Sequence, residues 1–502
     1  MNTPVLHLND AENLSGCVLA YGHFTTIHPG HIRYLKHAKD LGEKLVVVLM
    51  GDENNTLTPE FQFNQKERAE ALRLLEMVDV VIMLKHKELS EAVKLIKPNV
   101  MVLGNEFQSC SDEDVNDAID ILRKAGKRIA FHAGNVHYAT TDLLSISERK
   151  LVEKRQLQFR RACDRQGINL ERLLSSVNTW TQTKLIVLGD TIIDQYAACE
   201  ALGMSAEAPV VVVKELERKN FIGGAAVVAS HIRALGAKCC LLSVVGNDDS
   251  AKIARDGIKD RDIIDALVVD YSRPTTFKKR YIVENQKLFR VSRLEERSIA
   301  SQIEDQIIEK LEELAPTVKG IVISDFAYGV ITNRVLEAVD QISKKFGLML
   351  FGDVQCSSQV GSILRFKNFS LLCPNEREAR IALQEKDAGL EKVSNQLIKK
   401  TGCKKLLMKL GSDGFIVYNK IDKDKYISQP FPALSANPVD VTGAGDSLLA
   451  VMATGISSGQ SVMDTAAIGC CMAGLAVEQM GNSPIGINSL KASIKESFIN
   501  LL

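Results

Sequence analysis

The sequence predicts an α/β protein with two domains built on largely parallel sheets, and three observations carry this prediction. Short apolar runs such as "CVLAYG", "KLVVVLM" and "KLIVLGD" alternate with segments of helical periodicity, which is the pattern of βαβ units. Most of these runs end in Gly, Asp or Asn, at the strand ends where parallel sheets bind ligands. A charged helical pattern without a strand candidate, "SERKLVEKRQLQFRRACDRQGINLERLL", divides the chain. We therefore predict a first domain at residues 1–145, a helical linker at 146–183 and a second domain at 184–502.

The composition agrees with this division and argues against several classes of function. A chain of 502 residues exceeds one ordinary core, and 45% hydrophobic with 25% charged residues is typical of globular proteins. Lys and Arg number 62, as do Asp and Glu, so no net basic charge favours nucleic acid or a membrane surface. We find no secretory signal, no apolar run that spans a bilayer and no metal-ligand spacing among the 11 cysteines. We expect a cytoplasmic protein with reduced thiols and neither nucleic acid nor membrane as partner.

The first domain carries two histidines where a strand leads into a helix, in "LAYGHFTTIHPGHIRYLKHAKDLG". The strand ends at Ala20 and Tyr21, and Pro29 suits a first helical position. His28 and His31 are three residues apart, so both imidazoles can face one side of the helix start. Together with free backbone amides they would form a triphosphate site. The alternative is a pair of ordinary histidines with a metal or a surface role.

This stretch resembles the H-x-G-H signature of the nucleotidylyltransferase superfamily, and "NQKERAEALRLLEMVDVVIML", "IKPNVMVLGNEF" and "ATTDLL" follow in the order typical of that family. The resemblance covers about residues 15–144 and implies a Rossmann-like fold that transfers a nucleotide to a sugar 1-phosphate and releases pyrophosphate. The roles it implies are phosphate binding by His28 and His31, nucleotide binding by Gly22 and Phe24, and triphosphate contacts by Thr140 and Thr141. Two departures are Thr25, where the family has an acid, and Leu103, where it has a lysine. An arginine-containing motif of cytidylyltransferases is missing near "VHYATTD", which favours ATP over CTP.

The second domain contains "VDVTGAGDS", which places Asp446 directly behind Gly443, Ala444 and Gly445. One interpretation is a turn that enters a helix capped by an acid. The other is an anion hole, in which helix-start amides hold a phosphoryl group while the acid accepts a proton from a sugar hydroxyl. Upstream, "PVVVVKEL" and "TTFKKRYIVENQKLFRVSRLEE" alternate like exposed antiparallel strands and predict a small β lid.

In their order, "NFIGGAAVVASHIRALG", "CPNEREA", "MKLGSDGF" and "VTGAGD" resemble the ribokinase-like PfkB sugar kinases across about 320 residues. The resemblance implies a catalytic base at Asp446, an anion hole of Gly443, Ala444 and Gly445, and a water-linked Mg²⁺ pair of Asn375 and Glu378. It further implies nucleotide contacts by Lys409, Gly411 and Gly414 and substrate contacts by Asp194, Gly223, Gly224, Lys278 and Arg280. For Lys278, Lys279 and Arg280 the alternative is a solvated strand edge.

The second half most resembles the heptose 7-phosphate kinase half of the bifunctional ADP-heptose synthases in "GDTIIDQY", "SAEAPVVVV", "IGGAAVVA", "TTFKKRYIVENQKLFR" and "SDFAYGVI". The first half most resembles the adenylyltransferase half of the same enzymes, although in those fused enzymes the kinase comes first. We therefore expect an enzyme with ATP as substrate that phosphorylates a heptose 7-phosphate at C1 and transfers AMP to a heptose 1-phosphate. Val227, Gln355 and Tyr328 depart from the pattern at polar positions of the kinase half, and Cys470 stands where the resemblance implies an asparagine of the adenine wall. The alternatives are another sugar, CTP in the first half, or one inactive half kept as a regulatory or oligomerisation module. The lid strands predict a homodimer, because their exposed edges are best covered by a partner.

Overall fold

The computed structural model describes residues 3–11, 14–24, 27, 29–52, 63–85, 87–104, 107, 112–132, 148–207, 210–284, 286–355, 362–386, 388–422, 425–479 and 481–499. These residues form two compact units. The first comprises residues 1–147 together with 383–396, and the second comprises 148–382 together with 397–502.

The first unit contains one six-stranded sheet in which every neighbouring pair is parallel, in the order β1-β4-β3-β2-β5-β6. Its strands are β1 Val5–His7, β2 Val18–Gly22, β3 Leu45–Leu49, β4 Val80–Met83, β5 Val100–Gly104 and β6 Arg128–His132. The helices are α1 Pro29–Lys39, α2 Gln65–Arg73, α3 Leu89–Ile96 and α4 Glu113–Lys124. Strands β2, β3 and β5 are buried along their whole length, because helices cover both faces of a parallel sheet. From β2 the next strands, β3 and β4, are added on one side, whereas β5 and β6 are added on the other side. The order of strands therefore switches between β2 and β5, and ligands bind at such a switch point.

The second unit is larger and its strands lie in three sheets. These are β7 Lys184–Gly189, β8 Thr191–Met204, β9 Val211–Gly224, β10 Lys238–Leu242, β11 Val244–Val245, β12 Ile264–Asp265, β13 Val268–Val269, β14 Thr276–Val283, β15 Gln286–Arg293, β16 Gly320–Asp325, β17 Met349–Val354, β18 Leu371–Leu372, β19 Lys405–Lys409, β20 Phe415–Asp422 and β21 Lys425–Phe431. The helices after residue 147 are α5 Glu148–Arg165, α6 Leu170–Asn178, α7 Ala225–Ala234, α8 Asp249–Lys259, α9 Ser301–Leu314, α10 Asn333–Phe346, α11 Glu376–Leu383, α12 Leu390–Thr401, α13 Ala444–Ser457, α14 Val462–Val477 and α15 Ile487–Phe498. All of them belong to the second unit except the part of α12 up to residue 396 and the last residue of α11, which belong to the first.

The main sheet of the second unit has nine strands in the order β12-β10-β7-β16-β17-β18-β19-β20-β21. It is parallel from β12 to β19 and antiparallel from β19 to β21. Strands β7, β16, β17 and β19 bring Asp190, Asp325, Asp353 and Lys409 to their carboxyl ends or to the residue after. The parallel arrangement therefore gathers charged side chains at one edge of the sheet, as the strand-end pattern predicts.

A separate four-stranded sheet in the order β15-β14-β8-β9 forms the predicted β lid. The pairs β8 with β9 and β14 with β15 are antiparallel, whereas β14 runs parallel to β8. The sequence pattern missed β8, whose first half is buried and lacks the alternation of an exposed strand. The sheet exposes many apolar side chains, among them Leu202, Met204, Val211, Leu216, Phe289 and Val291.

The interval 146–183, which we predict to be a helical linker, is helical in its described part and packs within the second unit. Phe159 of α5, Val177 of α6 and Trp180 are fully buried in the same hydrophobic cluster as α13 and α14. An ion pair of 2.7 Å between Arg172 and Asp464, and a hydrogen bond of 2.8 Å from Trp180 Nε1 to Gln460, hold the segment in place. These helices therefore complete the core of the second unit.

Candidate active sites

Residues 439–447 form a turn that enters α13 and place Asp446 in the first turn of that helix. Gly443 precedes the helix with a φ of +81°, a conformation that side chains disfavour. A Cβ atom on Gly443 would also lie 2.5 Å from Oδ1 of Asn482. Ala444 donates its N–H to Val441 over 3.4 Å, while the amide of Gly445 lies in the helix's first turn, where N–H groups have no helical partner. The turn and the helix start together form a cradle that favours an anion next to Asp446.

Asp446 is buried among charged groups from four strands. Its Oδ1 accepts a hydrogen bond of 2.9 Å from Nε2 of Gln355, which follows β17. Burial and the charge of Asp353 raise the pKa of Asp446 to about 7, with a further raising effect of Asp194 and lowering effects of Lys409 and Lys278. A carboxyl group with such a pKa can accept a proton near neutral pH.

Lys409 lies beneath the helix start and is bound to a buried carboxylate. Its Nζ donates to Oδ2 of Asp353 over 2.7 Å, and a Cβ atom on Gly445 would lie 3.3 Å from the same Nζ. Burial alone would lower the pKa of Lys409, but the charges of Asp353 and Glu378 raise it well above its usual value. The lysine therefore remains charged next to the predicted anion hole.

Gly411 and Gly414, two predicted nucleotide contacts, bracket a short turn between β19 and β20. Both have positive φ, at +63° and +90°. A Cβ atom on Gly414 would lie 2.1 Å from the carbonyl oxygen of Phe431. A Cβ atom on Gly411 would meet no described atom within 4 Å. Arg155 of α5 donates to the carbonyl oxygens of Ser412 in this turn and of Ser435.

Asn375 and Glu378 form a capping box at the start of α11. The N–H of Asn375 donates to Oε2 of Glu378, and the N–H of Glu378 donates to Oδ1 of Asn375, each over 2.8 Å. Among the described residues no group of three or more His, Cys, Asp or Glu side chains is arranged to hold a metal ion directly. Oδ1 of Asp353 is buried and has no partner within the described chain, which leaves an oxygen ligand at this edge. Oxygen donors of this kind fit a hydrated Mg²⁺.

The predicted substrate residues Asp194 and Arg280 pair with each other across neighbouring lid strands. Nη1 of Arg280 donates to Oδ1 of Asp194, and the guanidinium lies over the ring of Tyr196. Burial alone would lower the pKa of Arg280, but the charge and hydrogen bond of Asp194 raise it. Gly223 lies opposite the same carboxylate, since its Cβ would be 2.5 Å from Oδ2 of Asp194. Gly224 has a φ of +63° and directly precedes α7.

Lys278 is buried and lies between aromatic rings. Its Nζ is 5.6 Å from the ring centre of Phe326 and 5.0 Å from that of Tyr328. The resemblance predicts a lysine at the position of Tyr328. Lys278 therefore lies next to an aromatic ring where the resemblance predicts a second cation. The solvated-edge alternative does not describe Lys278, which is 4% exposed.

Two buried carboxyl groups that the sequence analysis did not single out hold the loop that carries these rings. Asp190 accepts N–H bonds from Phe326, Tyr328 and Val330. Burial and the neighbouring Asp325 raise the pKa of Asp190 to about 7. The signal was available in "VLGD" and "VISD", because both acids end neighbouring parallel strands.

In the first unit, predicted site residues converge at the switch point between β2 and β5. Gly22 ends β2, and Phe24 follows with a positive φ of 49°, a conformation that non-glycine residues adopt rarely and often at functional sites. The ring of His31 lies 5.0 Å from that of Phe24. His28, Thr140 and Thr141 lie outside the described residues.

Three residues that the sequence analysis missed support this switch point. The rings of His23 and Phe107 stack with centres 6.3 Å apart, and the buried Arg68 of α2 donates to the carbonyl oxygens of His23 and Met50. Burial, together with the charge of Arg68, lowers the pKa of His23. A neutral ring pair thus lies between the ends of β2 and β5.

The nine described cysteines are free thiols and buried, and none of the described helices is both long and apolar enough to cross a membrane.

Comparisons with known proteins agree with this architecture. Residues 182–487 match the family model described as pfkB family carbohydrate kinase, and residues 19–145 match the one described as cytidylyltransferase-like. Among curated proteins, the chain is 30% identical over 318 residues to the bifunctional protein HldE of Campylobacter jejuni and 28% identical over 326 residues to that of Desulfatibacillum aliphaticivorans. These matches cover 63% and 64% of this chain, and the chain spans only 65% of the length of each relative.

Solved structures share the fold of a large part of the chain. Phosphofructokinase-2 of Escherichia coli in complex with potassium has a TM-score of 0.51 at 15% identity and covers 63% of this chain and 99% of its own. The complex of that enzyme with fructose-6-phosphate has a TM-score of 0.50 at 16% identity and covers 62% and 98%. The predicted fold class and the predicted resemblance are confirmed. Because the family model matches more than half of the residues of the chain, the chain belongs to the pfkB family of carbohydrate kinases.

Proposed function

We propose that the chain is a bifunctional enzyme that makes a nucleotide-activated sugar, ADP-heptose or a close analogue. In this proposal the second unit phosphorylates the C1 hydroxyl of a heptose 7-phosphate with ATP. The first unit transfers AMP from ATP to a heptose 1-phosphate. The observation that supports it most directly is the position of Asp446, which is buried in the first turn of α13. Gly443 precedes it at a position where a Cβ atom would clash with Asn482.

The proposed kinase step uses Asp446 as general base. The sugar hydroxyl oxygen attacks the γ-phosphorus of ATP, its proton passes to the Asp446 carboxylate, and ADP leaves. Amides of Gly443, Ala444 and Gly445, together with the charged Lys409, stabilise the transferred phosphoryl group. We propose that Mg²⁺ is held through water by Asn375 and Glu378, where it would neutralise phosphate charge. Asp194 with Gly223 and Gly224 holds sugar hydroxyls, Lys278 and Arg280 bind the distal phosphate, and Gly411 and Gly414 contact the nucleotide.

In the proposed nucleotidyl transfer, a phosphate oxygen of the sugar 1-phosphate attacks the α-phosphorus of ATP and pyrophosphate leaves. His28 and His31 bind the triphosphate, with Thr140 and Thr141, while Gly22 and Phe24 contact the nucleotide. The neutral ring pair of His23 and Phe107 adds a stacking surface at the same switch point.

Three further properties belong to this proposal. The functional kinase unit includes the helices of 148–183, because their side chains complete its core. We propose a cytoplasmic location, because the described cysteines are free thiols, as is typical of that reducing compartment. The apolar residues exposed on the lid sheet favour a homodimer, and sedimentation that shows only monomer at micromolar concentration would reject it.

The departures at Val227, Gln355 and Tyr328 favour a second candidate, the same two reactions on a different sugar. We propose to test both by incubating the chain with a panel of sugar phosphates and free sugars, with ATP or CTP, and identifying products by mass. Phosphorylation of heptose 7-phosphate with ATP supports the first candidate, and a preference for another sugar supports the second. Absence of turnover in one half, while the other is active, would support a regulatory role for the inactive half.

A further inference from the structure

Gln355 is the only residue whose side chain bonds to Asp446 within the described chain. It follows β17 directly, and its N–H donates to the carbonyl oxygen of Asp325 over 2.8 Å, which fixes its backbone to β16. From this anchored position Nε2 donates to Oδ1 of Asp446 over 2.9 Å. Oδ2 of Asp446 makes no hydrogen bond within the described residues. Within the described residues, the geometry therefore engages one oxygen of the carboxylate and not the other.

We propose that Gln355 is a positioning residue for Asp446, which orients the carboxylate towards the acceptor hydroxyl without adding a charge beside it. This inference rests on the proposed kinase function. The amide restricts the rotation of a carboxylate that would otherwise have several orientations, and orientation contributes strongly to the rate of proton and phosphoryl transfer.

The neutrality of the amide matters because the surrounding charges are nearly balanced. Asp353 of β17 and Asp194 of β8 act on Asp446 as anions, while Lys409 of β19 and Lys278 of β14 act as cations. Gln355 stands where the resemblance predicts the lysine of a D-P-K motif. A lysine there would add a cation and weaken Asp446 as a base, whereas a glutamate would add an anion and strengthen its affinity for the proton.

A thermal unfolding experiment tests this inference without any enzyme assay. The folded protein binds the Asp446 proton more tightly than the unfolded chain, because the pKa rises from 3.8 to about 7 on folding. The contribution of this group to stability is therefore greatest at low pH and is lost as the pH rises towards its folded pKa. The difference in melting temperature between the chain and its Asp446→Asn variant, plotted against pH, then falls between the unfolded and the folded pKa, and the midpoint of this fall moves whenever the folded pKa moves.

We expect Gln355→Lys to move that midpoint to lower pH and Gln355→Glu to move it to higher pH, each compared with the same variant carrying Asp446→Asn. Gln429→Met, which removes a buried glutamine on β21 bonded to Gln166 and Pro430, serves as the control and should leave the midpoint unchanged. A midpoint that stays in place for both charged variants would overturn the inference, whether or not a sugar substrate has been found.

The positioning role has its own readout once a substrate is known. Gln355→Met keeps the side-chain length but removes the hydrogen bond, and we expect kcat to fall by roughly ten- to a hundredfold with little change in KM for ATP. A kcat close to that of the unmodified chain would show that Asp446 needs no such support. Failure of every tested sugar would count against the proposed function and leave the midpoint experiment able to decide on Gln355.

Discussion

The two candidate sites occupy comparable places in their sheets but are built from different chemistry. The kinase site gathers buried ions, with Lys409 bonded to Asp353 and the charges of both acting on Asp446. The switch point of the first unit is lined in its described part by glycine, backbone groups and the rings of Phe24, His31 and Phe107, with Arg68 as a buried cation. Buried ions act strongly on one another because the interior screens them poorly. We therefore expect substitutions in the kinase site to alter neighbouring pKa values, and substitutions in the first site to act locally.

The largest effect should come from Asp446→Asn. The amide keeps the shape and cannot accept the hydroxyl proton, so we expect phosphorylation to fall by roughly 10²- to 10⁴-fold while ATP binding persists. Release of ADP under saturating sugar phosphate measures the first quantity, and titration with a fluorescent ATP analogue measures the second. Near-normal turnover would remove Asp446 from the role of base.

The matching change in the first unit is His31→Ala. Loss of an imidazole that binds the triphosphate should reduce pyrophosphate release by roughly 10²- to 10³-fold and leave the kinase rate unchanged. Both activities are measured on the same protein sample, so each serves as the control for the other. If the kinase rate fell equally, the two reactions would not have separate sites.

The sequence predicts these sites best where their residues are neighbours along the chain. "GAGD" and the first-unit motif "HPGH" are contiguous, so their residue types and order carry the prediction directly. Lys409 with Asp353, and Gln355 with Asp446, join residues on different strands, and no local pattern specifies which strands become neighbours. Asn375 and Glu378 form a local pattern with two meanings. The spacing that suggests a metal site also specifies the capping box that the structure contains.

A smaller effect should separate binding of the sugar phosphate from catalysis. Arg280→Ala removes a cation proposed to bind the distal phosphate and leaves the buried Asp194 without its partner. We expect KM for the sugar phosphate to rise by about ten- to a hundredfold, with KM for ATP nearly unchanged. Arg290→Ala, at an exposed position of β15 opposite Arg280, is the matched control.

A double-mutant cycle with Asp194→Asn identifies which interaction was lost. If Arg280 only neutralises Asp194, the double variant should bind the sugar phosphate as well as Asp194→Asn alone, because no carboxylate is then left uncompensated. If Arg280 binds the phosphate itself, the double variant should bind more weakly than Asp194→Asn alone. Equal use of the phosphorylated and the free sugar by the unmodified chain would contradict the phosphate role from the start.

A partly exposed contact of Lys287 joins the lid to the turn at residues 439–447, named here the phosphate turn, and it should carry the smallest effect. Nζ of Lys287 on β15 lies 3.1 Å from Oδ1 of Asp440, which also accepts hydrogen bonds from the N–H and the hydroxyl of Thr442. Burial would raise the pKa of Asp440, but the bonds from Thr442 and the charge of Lys287 hold it below its usual value.

We predict that Lys287→Met raises KM for the sugar substrate only two- to fivefold, because an ion pair with one exposed partner contributes about 1 kcal/mol or less. If the ammonium holds the lid against the turn, added salt should raise KM of the unmodified chain towards that of the variant, since ions screen an exposed pair. Lys279→Met removes another ion pair of the lid, Lys279 with Glu215, and serves as the control because that pair does not contact the turn. An effect of Lys279→Met as large as that of Lys287→Met would indicate that the lid needs its surface charges in general. An effect confined to Lys287→Met and abolished by salt would show that this contact couples the lid to the phosphate turn.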